Sequence, residues 1–503
     1  MFRVKIFALV LLIIAMLASC STTDEKLRAM IPDDAVGVIA VDVPSLIKKG
    51  RMAAGEDAVK LPDGLKKLID EADPTIFGDV IGSLETSGID FKSRSYLFFS
   101  PGIYKAVALI PVVDVDKASA MVAKIASGKM KDVDGVDFAT HLDYAYAIDG
   151  NVLLIGRYNT PVSADVAAKA ANDILNRTKP PILENGEISK YIDEKGEITA
   201  YINIKGLGAI LKENSRFSTF LGNLPALDIV VDSDIKAMTL QVDFDMSKTE
   251  GESAKIKTGF LYDENGQYSK LYDKLINSAI DSTSNVLGLI PGELDTYFAI
   301  KINGFQLAQM PQMEKMFQLL ETAPLTHGIK HKEMLSAING TFVFGVAKGQ
   351  VGDYNFAVAT QSPNPDFVID QIIEIGNLRG QSPYKSEGEY FYDYGSQGIA
   401  MGQTNNVFYL RCVDFETQYS AAELPVLPAY LENAAMALYQ CLKIGNNVEG
   451  YLNWKLNDKS GGEGLYFTAN EKDNVVISML KCLCWKEPNS TMQEGEDNFD
   501  YGF

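Results

Sequence analysis

The chain has 503 residues, of which 47% are hydrophobic, and carries 46 basic against 66 acidic side chains, for a formal net charge of −20. This length and apolar content are enough for two or three hydrophobic cores, and they exclude an intrinsically disordered chain. A negative field of this size repels phosphate backbones and anionic headgroups. We therefore expect no nucleic-acid partner, and membrane contact through a lipid alone.

The first residues of the chain have the pattern of an export signal. Arg3 and Lys5 precede an apolar run at 6–17, which is followed by two small residues. The run is shorter than the roughly 18 residues that cross a bilayer, and this favours a cleaved signal over a transmembrane helix. The sequence therefore predicts a signal peptide over residues 1–19 and an extracytoplasmic protein after it.

Residues 17–20, Leu-Ala-Ser-Cys, are similar to the lipobox of bacterial lipoproteins, in which the cysteine thiol receives a diacylglycerol. Acyl chains anchor a protein because each buried methylene contributes ~0.8 kcal/mol. We predict that Cys20 is lipidated, that 20–30 form the lipidated residue and a polar tether, and that the partner is the outer membrane. An ordinary signal peptide with a chance cysteine is the alternative. Asp24 and Glu25 resemble a surface-export signal, but the membrane face stays open.

The predicted elements occur twice in the same order along the chain. Ile31-Pro32 precedes a strand at 36–43, and Ile290-Pro291 precedes a strand at 296–302. Four further pairs follow in order: the strand at 96–99 with that at 341–346, the strand at 107–113 with that at 356–360, the helix at 116–126 with that at 365–375, and the strand at 151–154 with that at 406–409. We infer a tandem duplication.

The clearest internal match lies between 198–205 and 448–455, at a constant offset of 250 residues. On a strand the three identical residues of each copy share one face, since side chains alternate. A ring, an amide and an amine can bind a sugar or a peptide, and they make these six the candidate binding residues: Tyr201, Asn203, Lys205, Tyr451, Asn453 and Lys455. The alternative is a solvated face, with the intervening apolar residues packed on helices.

Strands joined at close range favour antiparallel hairpins, and helical stretches lie between them, as at 162–175 and 268–281. Each predicted copy ends in alternating strands, at 235–244 and 255–262 and again at 464–469 and 475–485. The predicted class is α+β, a tandem duplication of an antiparallel sheet packed by helices on one face. The predicted units are residues 31–285 and 286–486, followed by an acidic mobile tail at 487–503.

The lipobox, the short tether, Ile-Pro-Asp-Asp-Ala at 31–35 leading into an apolar strand, and the second Ile-Pro at 290–291 together resemble one family. It is the Bacteroidetes lipoprotein family catalogued as domain of unknown function 4836, and the resemblance covers essentially the whole mature chain. It implies an envelope lipoprotein without an assigned activity. No catalytic residues can therefore be transferred from the family.

Metal-binding and catalytic patterns are weak. His327 and His331 have a metal-compatible spacing, but lysines flank the second histidine and Gly328 weakens the helix, so we expect a solvated helix start. Residues 132–137 resemble a calcium loop that lacks its final glutamate, which favours an Asp-Gly turn. No nucleophile elbow, phosphate loop or dinucleotide fingerprint occurs. We assign no catalytic residue, metal or cofactor.

Apart from Cys20, four cysteines lie in the last quarter of the chain: Cys412, Cys441, Cys482 and Cys484. On the predicted strand at 475–485, Cys482 and Cys484 point to one face and are poorly aimed at each other. A disulfide from either of them to Cys412 is one interpretation, because an exported protein meets oxidant. Buried thiols are the other.

The sequence therefore predicts a lipid-anchored protein of the cell envelope. We favour a non-catalytic binding or assembly module with an envelope protein or glycan as its partner, because the anchor and the duplication are present and catalytic motifs are missing. The alternative is an envelope hydrolase that acts on peptides or glycans through carboxylates that the sequence alone does not pair.

Overall fold

The structure is a computed structural model. It describes residues 21–54, 59–60, 87–126, 128, 130–133, 135–158, 162–177, 186–192, 196–206, 234–247, 251–276, 294–322, 328–348, 354–378, 380–393, 397–414, 434–444, 447–469 and 474–484. The predicted signal peptide, Cys20, His327 and the predicted tail lie outside these ranges.

The helices are α1 (Ser21–Met30), α2 (Val43–Lys49), α3 (Val115–Ile125), α4 (Ala164–Leu175), α5 (Gly186–Ile192), α6 (Gln267–Leu275), α7 (Gly304–Ala308), α8 (Pro311–Thr322), α9 (His331–Ser336), α10 (Pro365–Leu378) and α11 (Val475–Cys484). The strands are β1 (Gly37–Val41), β2 (Ala53–Ala54), β3 (Val59–Lys60), β4 (Ser95–Phe99), β5 (Ala106–Pro111), β6 (Lys131–Val133), β7 (Val136–His141), β8 (Tyr144–Asp149), β9 (Val152–Arg157), β10 (Ile198–Asn203), β11 (Ala237–Asp245), β12 (Ser253–Leu261), β13 (Leu294–Asn303), β14 (Asn339–Lys348), β15 (Tyr354–Gln361), β16 (Tyr384–Ser386), β17 (Glu389–Asp393), β18 (Gln397–Thr404), β19 (Val407–Asp414), β20 (Met436–Ile444), β21 (Asn447–Asp458) and β22 (Gly461–Thr468).

All of these strands except β2 and β3 form one antiparallel sheet. The first repeat has the strand order β6-β7-β8-β9-β5-β4-β1-β10-β11-β12, and the second repeat has the order β16-β17-β18-β19-β15-β14-β13-β20-β21-β22. The two orders correspond strand for strand, which confirms the α+β class and the duplication. The last strands, β12 and β22, pair with each other and join the repeats.

The duplication extends to the helix caps. Asp42 follows β1 and accepts a hydrogen bond from the Ser45 amide at 3.2 Å, while Asn303 ends β13 and accepts one from the Gln306 amide at 3.1 Å. Asp114 begins α3 in the same way that Asn364 begins α10. Because a short polar side chain satisfies an amide of the first helical turn, these caps fix where each helix starts.

The offset of 250 residues, however, aligns strands that are not equivalent. Counted back from the capping residues Asp42 and Asn303, Val38 corresponds to Ala299, and these pair with Tyr201 on β10 and Ala437 on β20. Tyr201 is therefore the counterpart of Ala437. The matching sequence at 448–455 lies on β21, which corresponds to β11. The predicted equivalence of 198–205 and 448–455 was wrong. Side chains alternate between the two faces on every strand, so a matching sequence pattern does not show that two strands correspond.

The predicted strand at 475–485 is the helix α11 over its described part. Asn474 starts the helix, since its Oδ1 accepts a hydrogen bond from the Ile477 amide at 3.0 Å. Val475, Val476 and Leu480 are buried in a core that also contains residues of the first repeat. A short apolar run that is buried on several sides does not distinguish strand from helix, so the prediction was wrong.

Helices cover both faces of the sheet in the first repeat, whereas one covered face was predicted. One core contains residues of α2, α3 and α11, including Leu46, Val122 and Leu480. The core on the opposite face contains residues of α1, α4 and α5, including Leu27 and Ala167. Strand side chains alternate between these two cores, and the first repeat is therefore a three-layered unit.

The terminal helices of the two repeats pack on each other's repeat. At the start of α11, the Asn474 side-chain amide donates to the Lys49 carbonyl at the end of α2, at 3.1 Å. At the start of α6, the Tyr268 hydroxyl donates to the Lys459 carbonyl between β21 and β22, at 3.1 Å. Each repeat therefore supplies a helix that fastens the other one.

The segment predicted as a polar tether is helical from Ser21. Leu27 and Ile31 are fully buried in the first repeat, and the Tyr96 hydroxyl donates to Asp24 at 2.6 Å. In the described ranges, no helix combines the length and the apolar character that crossing a bilayer requires.

Replacing Gly461 by alanine should destabilise the junction between the repeats. A Cβ atom at 461 would lie 2.1 Å from the Thr258 carbonyl oxygen on β12, so backbone would have to move. We expect Gly461→Ala to lower the free energy of unfolding by about 2 kcal/mol or more, measured by denaturant titration. In the control variant Gly102→Ala, the new methyl group would meet only the Ser100 Oγ atom, at 3.4 Å. If both variants unfold at the same denaturant concentration, the close pairing of β12 with β22 at Gly461 is contradicted.

Candidate binding face of the second repeat

The structure places the three predicted residues of the first copy in structural positions. Tyr201 is buried in the core under α1, α4 and α5. The Asn203 side chain accepts a hydrogen bond from the Gly206 amide at 3.0 Å, which closes a turn. Lys205 is exposed but lies beyond the end of β10. These residues therefore share no open face.

The three predicted residues of the second copy lie on one face of β21. Tyr451 stacks on Tyr439 of β20, with ring centroids 6.2 Å apart and an interplanar angle of 19°. Lys455 forms an ion pair with Glu463 at 3.2 Å, and Asn453 is half-buried between them. The strands β10 and β21 are four strand spacings apart, about 19 Å, so the structure does not bring the two copies together.

A single row of paired residues crosses the second repeat on this same face. Because residues directly opposite each other in an antiparallel pair share a face, the register defines the row. We call it the tyrosine row; in strand order it consists of Asn453, Tyr439, Tyr297, Gly345, Ala357, Arg411, Ala400, Phe391 and Tyr384. Aromatic side chains lie at the outer end of the row and next to Asn453 at its inner end, and three small residues and Arg411 separate them.

The outer end of the tyrosine row is an aromatic pair on the edge hairpin β16–β17. Tyr384 stacks on Phe391 with ring centroids 5.5 Å apart and an interplanar angle of 20°. Half of the Tyr384 side chain is exposed. On the other side of the hairpin, the Lys385 ammonium lies 4.8 Å from the centre of the Tyr390 ring. The hairpin therefore presents flat apolar rings to solvent at the edge of the sheet.

Charged groups next to this aromatic pair are held in place by one another. The Arg411 guanidinium donates to both carboxylate oxygens of Glu389 at 3.1 Å, and the Tyr409 hydroxyl donates to the same carboxylate at 2.6 Å. Charge-assisted bonds of this kind restrict side-chain rotation. A ring surface beside a fixed carboxylate and guanidinium can stack on a planar or sugar group and orient it by hydrogen bonds.

The inner end of the row provides a further polar group. The buried Oδ1 atom of Asn453 accepts no hydrogen bond in the part of the chain that the structure describes. Two places along the row from Asn453, the ring of Tyr297 is buried, and its burial raises the pKa of the hydroxyl. The Tyr297 hydroxyl is therefore protonated at neutral pH.

Different elements pack on this face of the sheet in the two repeats. In the first repeat α1, α4 and α5 pack on it. In the second repeat the corresponding core consists of strand residues and Ala434, and none of the described helices contributes to it. The helix α10, together with Ala337 directly after α9, contributes instead to a core on the opposite face, with Val368 and Phe408. The duplicated scaffold therefore has different surfaces in its two halves.

The weaker sequence candidates have structural roles. The Asp132 carboxylate accepts a hydrogen bond from the Gly135 amide at 3.1 Å, and Val133 pairs with Val136, which confirms the Asp-Gly turn. His331 begins α9, and His141 ends β7. Among the described residues, no group of histidine, cysteine or acidic side chains has a metal-binding arrangement.

The described cysteine side chains, Cys412, Cys441 and Cys482, carry thiols rather than a disulfide. Burial raises the pKa of the Cys482 thiol to about 11, and burial also raises the pKa of Cys412. Both are therefore neutral at physiological pH and pack as small apolar groups. The disulfide interpretation receives no support from these positions.

Two carboxylates interact where β10 and β11 lie side by side: Glu197, directly before β10, and Asp243 on β11. Burial, followed by the charge of Glu197, raises the pKa of Asp243. Glu197 is itself fully engaged, since it accepts hydrogen bonds from Lys49 at 2.6 Å, Ser45 at 2.8 Å and the Phe244 amide at 2.8 Å. These contacts fasten α2 to the sheet, which is a structural role.

Sequence reasoning missed the aromatic hairpin. The signal was present as Tyr384, followed by Glu-Tyr-Phe-Tyr at 389–392 after the tight turn at Glu387-Gly388. Alternation puts Tyr390 and Tyr392 towards α10 and leaves Phe391 on the tyrosine row. The partners Tyr409 and Arg411 come from β19 and were not predictable from local sequence.

A family model described as "Domain of unknown function (DUF4836)" matches residues 27–379. Among solved structures, crystal form I of TP0453 is similar over 48% of this chain and 80% of that chain, with 11% identity and a TM-score of 0.29. Crystal form III of TP0453 covers 51% and 88%, with 12% identity and a TM-score of 0.28. No match was found among curated proteins.

Removing the Tyr409 hydroxyl should weaken the contacts that hold Glu389 next to the aromatic pair. In Tyr409→Phe the Glu389 carboxylate loses a charge-assisted hydrogen bond, so we expect a loss of about 1–2 kcal/mol in the free energy of unfolding, measured in urea. The matched control is Tyr384→Phe, in which a half-exposed ring loses its hydroxyl. If both variants unfold at the same urea concentration, the contact does not order this face.

Proposed function

The chain belongs to the family described as "Domain of unknown function (DUF4836)", and we propose that it is a lipid-anchored protein of the cell envelope that binds an envelope protein or glycan. The second repeat presents the outer end of the tyrosine row, on the hairpin β16–β17, to this partner, and the protein is a binding or assembly module rather than a catalyst. The exposed aromatic pair Tyr384 and Phe391, beside the fixed Glu389 and Arg411, carries the proposal.

The anchor part of the proposal is supported by the sequence at the start of the chain. Residues 1–20 combine a basic start, a short apolar run and a cysteine after small residues. Two acyl chains on Cys20 would hold the protein at a membrane without a spanning helix. The outer membrane is the proposed location, and the proposal leaves open which of its two faces carries the protein.

The binding part of the proposal is supported by where aromatic rings and polar groups coincide. Rings are typical of surfaces that recognise sugars and peptides, because they offer a large contact area and lose few rotamers on binding. Glu389 and Arg411 add directional hydrogen-bond groups whose positions are already fixed. The entropy cost of binding at this end of the sheet is therefore reduced.

The alternative, an envelope hydrolase, would use carboxylates that converge on a substrate. Asp243 has the raised pKa typical of a general acid, but its neighbour Glu197 is neutralised by Lys49 and held by the Phe244 amide. The proposed binding function requires no such pair, and we favour it for that reason.

The anchor is tested by the variant Cys20→Ala. Without the thiol no diacylglycerol can be attached, so we expect the variant to leave the outer-membrane fraction while the wild type stays in it, as followed by immunoblot of fractionated cells. The control is Cys412→Ala, which keeps the predicted lipidation site. Retention of the Cys20→Ala protein in the outer membrane at the wild-type level would refute the anchor.

The binding face is tested by the double variant Tyr384→Ser with Phe391→Ser. Soluble peptidoglycan fragments, which carry both sugars and peptides, serve as the probe in titration calorimetry. We expect at least tenfold weaker binding, which corresponds to about 1.4 kcal/mol. The control is Leu142→Ser with Val166→Ser, two exposed apolar residues of the first repeat. Wild-type affinity in the double variant would show that the aromatic pair is not the site.

A further inference from the structure

The helix that directly follows Cys20 is fixed to the first repeat. The Asp24 carboxylate accepts a hydrogen bond from the Tyr96 hydroxyl at 2.6 Å, and the Lys26 ammonium donates to the Asn151 side chain at 3.2 Å. Leu27 and Ile31 are fully buried. Because α1 begins at Ser21, no long flexible linker separates Cys20 from these contacts.

The direction of α1 shows which end of the sheet its N-terminus faces. Tyr96 lies at the start of β4 and Asn151 lies in the turn before β9, and both are at the end of the sheet where β5 finishes. After α1 the chain reaches the opposite end, where the Val36 amide donates to the Phe99 carbonyl at 2.7 Å. The N-terminus of α1 therefore points towards the end that carries Asn151.

Exposed apolar side chains lie at this same end. The Val112 amide donates to the Asn151 carbonyl at 2.7 Å, and the next residue, Val113, is 61% exposed. Val115 begins α3 beside it and is 38% exposed. Isolated exposed valines are common in proteins, but these two lie at the end of the sheet towards which the N-terminus of α1 points.

We propose that this end of the first repeat lies on the phospholipid bilayer, with Val113 in contact with lipid. The proposal rests on the lipidation of Cys20 proposed above. From Cys20 to Asp24 a helix rises by only about 6 Å, so acyl chains on Cys20 hold the body at the headgroup layer. Asp114 and Asp116 flank Val113 and Val115, and they favour a zwitterionic over an anionic lipid surface.

In this orientation the two repeats have different roles: the first contacts the membrane, and the second carries the binding face. The first repeat contacts the membrane through the end of its sheet, while the second repeat extends from it across the β12–β22 junction. The edge hairpin β16–β17 is the last element of the sheet away from the first repeat. The aromatic pair is therefore held away from the anchoring site.

Tryptophan quenching in vesicles tests this orientation. The acylated full chain is placed in phosphatidylcholine vesicles with and without brominated acyl chains, as the variants Val113→Trp and Leu142→Trp. Leu142 is the matched control, since it is 63% exposed and lies in the turn between β7 and β8, at the opposite end of the sheet. The signal of the wild-type protein, which contains two tryptophans, is subtracted.

We expect bromolipid to reduce the added fluorescence at least twofold in Val113→Trp and to leave it unchanged in Leu142→Trp. If both proteins sediment with the vesicles and position 113 is quenched no more than position 142, the orientation is wrong while the anchor stands. If the acylated wild type does not sediment with the vesicles, the anchor is wrong and the orientation fails with it.

Discussion

The antiparallel pairing of β12 with β22 is the contact on which the rest of the molecule depends. It runs from Ser253 opposite Phe467 to Gly259 opposite Gly461. Each of these strands is the last strand of its repeat, so their pairing relates the two repeats by an approximate two-fold rotation. It also removes two long exposed edges that would otherwise be free to pair with other chains. Among the described strands, the edges that remain are β6 and β16, which have three residues each.

The helices α6 and α11 reinforce this junction, but they do so unequally. In α11 the residues Val475, Val476 and Ser478 are buried, and Tyr466 hydrogen-bonds the Ser478 hydroxyl at 2.6 Å. In α6 the only described residue that is buried is Ser269, which accepts a hydrogen bond from Lys459 at 2.8 Å. An apolar helix closes one side of the junction and a polar helix closes the other.

The two repeats share a scaffold and have diverged in their surfaces. On equivalent faces, the first repeat packs α1, α4 and α5, whereas the second has the tyrosine row. The equivalent edge hairpins also differ in the residues that they carry. The hairpin β6–β7 contains Lys131, Asp132 and Asp137, and β16–β17 contains Tyr384 and Phe391. This divergence is consistent with an anchoring role for the first repeat and a binding role for the second.

Local sequence patterns predicted much of this fold. Short apolar runs identified the strands β1, β4 and β5, which are buried on both faces because helices cover the sheet on each side. The same patterns failed where a long-range contact decides the outcome. The segment at 475–484 is helical because it lies in the core between the repeats, and residues 21–30 are helical and packed because Leu27 reaches a core built largely from later residues.

The candidate binding face was predictable only in part. The sequence identified Tyr451, Asn453 and Lys455 as sharing a face, which the structure supports. It paired them with Tyr201, which is buried, because the residue type and spacing matched although the strands do not correspond. The row from Asn453 to Tyr384 joins nine strands, and its order depends on strand connections that alternation alone does not specify.

Hydrogen–deuterium exchange of the full chain tests the junction most directly. In a sheet that continues from β12 to β22, both strands have neighbours on each side, so their amides should be protected as strongly as those of β4 and β5. If the repeats were separate, β12 and β22 would be edge strands with alternate amides open to water. Fast exchange in both strands, at the rate of the edge strands β6 and β16, would contradict the account.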